Sequence, residues 1–368
     1  MPLRSALKAL LILLLPASAG AGTIYVGTYT GHGSKGVYTV AFDPATGALG
    51  RPRLAAATPS PSFIILSPQG DRLYAANELG MDAGGGAASS FAVEGGGLRA
   101  LSSQSTEGGD PCFVALSRGG GDLFVSNYET GSVAELPVTA DGRLLPVRQM
   151  LHFRGSGPNR ARQDGPHAHC TVVDPTGRYL LVCDLGSDRI RVFAIDPSSG
   201  ELTAAFAAVM PPGSGPRHLT FAPSGRTVYL ISELASTVTA LRWEPEAARL
   251  TPFQSLSTLP PDFAGKNTAG EIQIDSAGRF VYASNRGDDS VTVFAVAPDG
   301  RLSLVQRISC QGRTPRFFAL DPSEQFLLAA LQDSNLIRVF RRDPQSGQLS
   351  ATSSSVRLGQ PVCLAFAR

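Results

Sequence analysis

The sequence predicts an all-β chain, a seven-bladed β-propeller of four-stranded blades closed by pairing the N- and C-terminal strands. Three observations predict it. A turn followed by a half-apolar strand recurs at intervals of about fifty residues, near the longer propeller repeats. Gly and Pro number 40 and 27 among 368 residues, which suits many tight turns better than long helices. The two chain ends carry incomplete units that complement each other.

The central phrase runs from Gly165 to Asp196. Its strands HCTVV and RYLLVCD flank Asp174-Pro175-Thr176-Gly177, a turn with Pro second and Gly last. A third strand, RIRVFAID, meets another turn at Asp196. The second-strand phrase recurs from Ser67, Ser117, Asp174, Ala222, Asp275 and Asp321. First strands precede it, as in PCFVALS, PRHLTFA, EIQID and PRFFALD, and third strands such as SVTVFAV and LIRVFRR follow. Turns at Asp43, Asp141, Asp196, Asp299 and Asp343 lead into fourth strands.

Six full units result, with two remainders. Thr23–Tyr29 and Gly36–Phe42 read as a second and third strand with no first strand before them. Pro361–Phe366 reads as a first strand with nothing after it. Joining them makes a seventh blade and removes the sheet edges that an open array would expose.

Residues 1–21 read as a signal peptide and 22–368 as one propeller domain. Arg4 and Lys8 precede the apolar run Ala9–Leu15, then Pro16 and small residues to Ala21, with cleavage after Ala19 or Ala21. The apolar run is too short to span a bilayer; a retained anchor is the alternative. Removing Arg4 and Lys8 from 32 basic residues leaves 30 against 30 acidic ones. A near-neutral protein gives no footprint for nucleic acid or, once the signal is cleaved, a membrane. The expected compartment is periplasmic or extracellular, and the expected state a monomer. The five cysteines leave at least one unpaired. Cys170 and Cys183 lie on neighbouring strands; a bridge or two buried thiols both fit.

Long connections at Leu79–Ser89, Gly155–Gly165 and Leu259–Ala269 interrupt the repeat, and such loops commonly carry specificity. In antiparallel blades the start of each first strand and the end of each second share one sheet edge. That edge collects His167, His169, Arg217, His218, Glu271 and Arg316 with Asn77, Glu78, Asn127, Asp184, Glu233, Asn285 and Arg286. Convergence of His, Arg and Glu suits an anionic small molecule. His167 and His169 share a strand face at a spacing that could ligate a metal, but no third ligand is adjacent, so no metal and no cofactor are expected. Arg217 and Arg316 fit either ligand binding or bonds to neighbouring blades. Asn77, Asn127 and Asp184 suit structural turns. Glu233 and Arg286 would be costly at a channel unless paired. No G-x-S-x-G elbow is present, and Cys170, the cysteine beside the histidines in sequence, faces away from them.

The phrases GTIYVGTYT, GPHAH…DPTGRYLLVCDLGSDRI, GSGPRHLTFAPSGRTVYLISEL, NTAGEIQIDSAGRFVYASNRGDDSV and GRTPRFFALDPSEQFLLAALQDS carry a resemblance. Together they resemble the propeller-type 6-phosphogluconolactonase family, which also contains a muconate-lactonizing enzyme that uses no metal. The resemblance covers the mature chain and implies seven blades and chemistry at a lactone ester. It implies that His169, Arg217, Glu233 and Arg286 match the His, Arg, Glu and Arg proposed for the muconate enzyme. Ser232, Gln273, Asp288 and Phe317 depart from the family pattern and imply a pocket poorer in imidazole.

The sequence thus reads as a metal-independent lactone hydrolase acting on a small lactone or anionic sugar acid. The expected catalytic residues are His169, Glu233, Arg217 and Arg286. Either His169 or Glu233 serves as base, and the arginines hold the carbonyl oxygen and an anionic group. His167, His218, Glu271, Asn285, Arg316 and Glu78 are the expected substrate contacts. An exported protein suits an unphosphorylated aldonolactone, because the resemblance places 6-phosphogluconolactone in the cytosol. Cycloisomerization of an unsaturated dicarboxylate and a non-catalytic binding propeller are the alternatives.

Overall fold

The computed structural model describes residues 22–367. The expected signal peptide lies outside the described residues. Seven four-stranded antiparallel sheets form the blades. Blades 1 to 6 are continuous in sequence, and their innermost strands are Pro61–Leu66, Pro111–Leu116, Ala168–Val173, Pro216–Phe221, Thr268–Ile274 and Pro315–Leu320.

Blade 7 is built from both ends. Its innermost strand is Pro361–Phe366, followed outward by Gly22–Thr28, Gly36–Phe42 and Arg53–Ala57. Ile24 pairs with Phe366 and Val26 with Leu364, so the apolar residues of both termini enter one core. A side chain at Gly27 would begin 2.4 Å from the Pro61 carbonyl oxygen; the approach to blade 1 admits only glycine there.

The recurring turns follow from side-chain chemistry. Asp174 accepts hydrogen bonds from the backbone N–H groups of Arg178 and Tyr179, both at 2.9 Å. Asp275 does the same for Arg279 and Phe280. Gly177, Gly225 and Gly278 turn at φ 77°, 68° and 70°, where an L side chain is strained. In three blades the leucine after the third-strand turn is gripped by the preceding blade. Gln149, Gln254 and Gln306 each bond both the N–H and the C=O of Leu202, Leu302 and Leu349, respectively.

The innermost strands share one irregularity. Each pairs with its neighbour through a bulge, which skips Ser62, Cys112, His169, Arg217 and Arg316 in five blades. In blade 5 the register jumps from Ala269 to Ile272 and passes over Gly270 and Glu271. A bulge removes a residue from the alternation of faces and re-aims its side chain. His169 is such a residue and His167 precedes the strand, so the two histidines do not share a strand face as the simple alternation predicts.

Deleting residues 359–368 removes the innermost strand of blade 7 and exposes the paired edge of Gly22–Thr28. The shortened protein is expected to lose its cooperative thermal transition by circular dichroism and to aggregate. An unchanged transition would mean that closure contributes little.

Candidate active site

At the first-strand end of the channel lies a cavity of about 240 Å³, lined by Glu78, Asp110, Cys112, Tyr128, Arg162, His169, Glu233, Arg286 and Arg316. It is smaller than the roughly 300 Å³ at which pockets for drug-sized ligands begin. Second strands end at Asn77, Asp184, Ser232 and Arg286, so the next residue, such as Glu78 or Glu233, emerges at the mouth. Bulges supply Cys112, His169 and Arg316 from below.

Glu233 is the hub. Its Oε2 accepts hydrogen bonds from Arg217 Nε at 3.0 Å and Arg286 Nη2 at 2.7 Å, and its Oε1 accepts one from Arg162 Nη2 at 2.6 Å. Arg162 Nη2 also donates to Tyr128 Oη at 3.1 Å. The carboxylate is 3 % exposed. Burial pushes its pKa up, but Arg286, Arg217, His169 and Arg162 overturn this and hold it well below the usual carboxylate range. Arg286 is lowered to about 10 by burial, partly offset by Glu233, and remains a cation at neutral pH.

His169 Nε2 stands 3.8 Å from Glu233 Oε2. Burial, then Arg217, holds the imidazole well below its usual pKa, so the ring is neutral. Cys112 Sγ lies 3.8 Å from His169 Nδ1 and 3.4 Å from the His169 carbonyl oxygen. Burial, then Glu78, keeps this thiol protonated, so it is no thiolate nucleophile.

Across the cavity, Tyr29 Oη donates to Glu78 Oε1 at 2.7 Å, and Arg316 Nη2 is 3.6 Å from Glu78 Oε2. The Arg316 guanidinium also lies 5.1 Å from the Tyr29 ring centroid.

The remaining expected contacts lie outside the cavity. His218 and Glu271 form a buried pair beneath it, 2.8 Å apart. Burial raises Glu271 to about 8, and burial with Arg217 lowers His218; the pair is neutral and shares one proton. The His218 ring is 5.2 Å from that of His169. His167 stacks on Tyr128, with Nδ1 2.9 Å from the Tyr128 carbonyl oxygen. Asn285 is not at the cavity. Its amide donates to Thr258 O and Ser290 Oγ and its oxygen accepts from Thr258 Oγ1, so it ties strands together as Asn77 and Asn127 do. Ser232, Gln273, Asp288 and Phe317 do not line the cavity either; Gln273 clamps the Phe318 carbonyl of the next blade. The departures expected to impoverish the pocket therefore lie outside its wall.

The sequence pattern misses Arg162, Tyr128, Asp110, Tyr29 and Cys112. Arg162 comes from a long loop outside the repeat. Cys112 was legible: alignment of the first strands puts it at the position of His169, Arg217 and Arg316. Cys170 and Cys183 pair directly across their hairpin as free buried thiols. Among the described residues, no group of three or more His, Cys, Asp or Glu could hold a metal ion.

A family model described as a lactonase with a seven-bladed β-propeller matches residues 23–366. The chain belongs to this lactonase family. It is thus an ester hydrolase related to the 6-phosphogluconolactonases. The 6-phosphogluconolactonase of Bacillus subtilis (strain 168) is 36% identical over 344 residues, which cover 93% of this chain and 97% of the relative. The 6-phosphogluconolactonase of Formosa agariphila is 34% identical over 297 residues, 78% and 83% of the two chains. The structure of the Pseudomonas aeruginosa periplasmic gluconolactonase matches with a TM-score of 0.90 at 39% identity, covering 95% of this lactonase and 99% of that chain.

Replacing Glu233 by Gln leaves three guanidiniums without their counter-charge. Loss of one partner from such a buried group costs about 3–5 kcal/mol. The depressed pKa of Glu233 gives stability that is present above its unfolded pKa of about 4.3 and lost as pH falls toward the folded value. His169 acts in the same direction below about pH 6.5, its unfolded value. Glu271, raised to about 8, acts the opposite way down to about pH 4.3, so the test compares thermal midpoints from about pH 4.3 to 3, where they are expected to fall on acidification. Glu233→Gln is expected to lower the midpoint at pH 7 and flatten the curve below pH 4.3. Superimposable curves would contradict the hub.

Proposed function

We propose that this lactonase is exported and opens a sugar-acid lactone, with His169 as general base for a water held between its Nε2 and Glu233. The 3.8 Å between these two atoms carries the reading. A water about 2.8 Å from each fits that gap, since hydrogen-bonded heavy atoms sit near this distance. Glu233 is the weaker base, because both its oxygens already accept from guanidiniums. Its part is to orient the water and hold the arginines.

The water oxygen attacks the lactone carbonyl carbon as its proton passes to His169 Nε2. The carbonyl oxygen becomes an oxyanion against Arg286 and Arg162, where fixed positive charge stabilises it most. Collapse of the tetrahedral intermediate breaks the bond from the carbonyl carbon to the ring oxygen, and the imidazolium returns the proton to that oxygen. The product is the open hydroxy acid, its carboxylate facing the same guanidiniums. Arg217 acts through Glu233, which it holds from beneath. The signal-like N-terminus and the periplasmic gluconolactonase among the relatives support export and an aldonolactone substrate.

The test is hydrolysis of gluconolactone by the mature protein, followed as acid release above the spontaneous rate. His169→Gln is expected to lower kcat by about 10²–10⁴-fold, the usual worth of a general base, with a small change in KM. The depressed imidazole pKa predicts kcat that is level from about pH 6.5 to 8 and falls on the acid side as His169 protonates. Wild-type kcat in folded His169→Gln would overturn the assignment.

A further inference from the structure

The two walls of the cavity differ in charge and in unmet hydrogen bonds. Blades 3, 4 and 5 provide His169, Glu233 and Arg286, and the segment before blade 3 provides Arg162. Glu78 leaves blade 1, Asp110 precedes blade 2, and Arg316 begins blade 6. Carbonyl chemistry therefore occupies one side of the ring, and Glu78 with Asp110 the other.

Each wall cation already faces a carboxylate. Arg162 and Arg286 are bound to Glu233 at 2.6 and 2.7 Å, and Arg316 faces Glu78 at 3.6 Å. Beyond Asp110 the negative charge continues. A Cβ at Gly80 would lie 2.7 Å from Asp82 Oδ1, 3.3 Å from Glu129 Oε2 and 3.6 Å from Asp110 Oδ1, so three carboxylates crowd one backbone position. Burial, then Glu78 and Glu129, raises the Asp110 carboxyl, as expected of a group facing like charge.

Two buried polar atoms in the cavity residues have no hydrogen-bond partner among the described residues: Glu78 Oε2, which Arg316 only faces at 3.6 Å, and Arg286 Nε. Such atoms are costly unless something bonds them. The first is an acceptor that an alcohol O–H satisfies, and the second a donor that a carbonyl or hydroxyl oxygen satisfies. A phosphate monoester carries about −1.5 to −2 charge at neutral pH and offers acceptors almost exclusively. It repels Glu78 and Asp110 and leaves Glu78 Oε2 unmet.

We propose that this site selects an uncharged polyhydroxy lactone over its phosphorylated counterpart, with Glu78 and Asp110 as the discriminating residues. The inference rests on the lactonase reading and specifies its substrate class. The lactone carbonyl takes the Arg286 side. The ring hydroxyls reach Glu78 and Asp110, where a phosphate arm meets opposing charge. Arg316 is held by Glu78, and neutralising Glu78 frees it to take a phosphate.

The experiment compares kcat/KM for gluconolactone and 6-phosphogluconolactone at fixed ionic strength, in wild type, Glu78→Gln and Asp110→Asn. Wild type is expected to favour gluconolactone by about tenfold or more, as like-charge opposition at a closed site implies. Both variants are expected to move the ratio toward the phosphorylated lactone, Glu78→Gln by about tenfold. A wild-type preference for 6-phosphogluconolactone, or a ratio unmoved in variants that unfold at the wild-type temperature, overturns the proposal. Hydrolysis of neither lactone overturns the catalytic reading alone. Calorimetric binding of gluconate and 6-phosphogluconate then carries the same comparison, with tighter gluconate binding expected and tighter phosphogluconate binding fatal to it.

Discussion

Closure of the ring is the constraint on which the rest of the structure depends. Seven blades surround one axis only if each repeats the same order of strands, so all seven innermost strands run in the same direction. Their starts then meet at one end of the channel, whatever their separation in sequence. The split blade, with Pro361–Phe366 inside Gly22–Thr28, completes this arrangement and leaves no incomplete blade among the described residues. The bulges set the second level of order: they release Cys112, His169, Arg217 and Arg316 from the strand alternation, and the first three meet at one spot with Glu233.

That spot concentrates charge where water is scarce. Three guanidiniums on one carboxylate fix Glu233 as an anion and leave a surplus of positive charge around it. Burial, and then Arg217, keeps His169 neutral, so the imidazole meets a water with its lone pair available. Opposite, Glu78 and Asp110 balance the surplus with their own charge. The cavity is polar on every side yet close to electrically neutral, a suitable container for a small polyol whose reacting carbon must lie at the cationic side.

The architecture was legible in the sequence because repeats state it many times over. The turn aspartates, the second-strand phrase and the complementary ends each predict blades, and one sheet-edge rule brings His169, Arg217, Glu233, Arg286, Arg316 and Glu78 to one end. That rule is coarse by one residue, and a strand shows opposite faces at adjacent residues. It therefore also collected Asn285, which ties strands together, and His167, which stacks on Tyr128. Arg162 was not legible, since it reaches Glu233 from an irregular loop across 71 residues of sequence. Cys112 lies 57 residues from His169, so adjacency in sequence does not reveal it. Its contact with His169 comes from the next blade.

The central claim is that a lactone lies with its carbonyl against Arg286, Arg162 and His169 and its hydroxyls toward Glu78 and Asp110. A crystal structure with the open acid gluconate tests it most directly. The account predicts the carboxylate within hydrogen-bond reach of Arg286 and Arg162, with a hydroxyl donating to Glu78 Oε2. Gluconate bound with its carboxylate on Arg316 and its hydroxyls on Glu233, or bound outside this cavity, would contradict it.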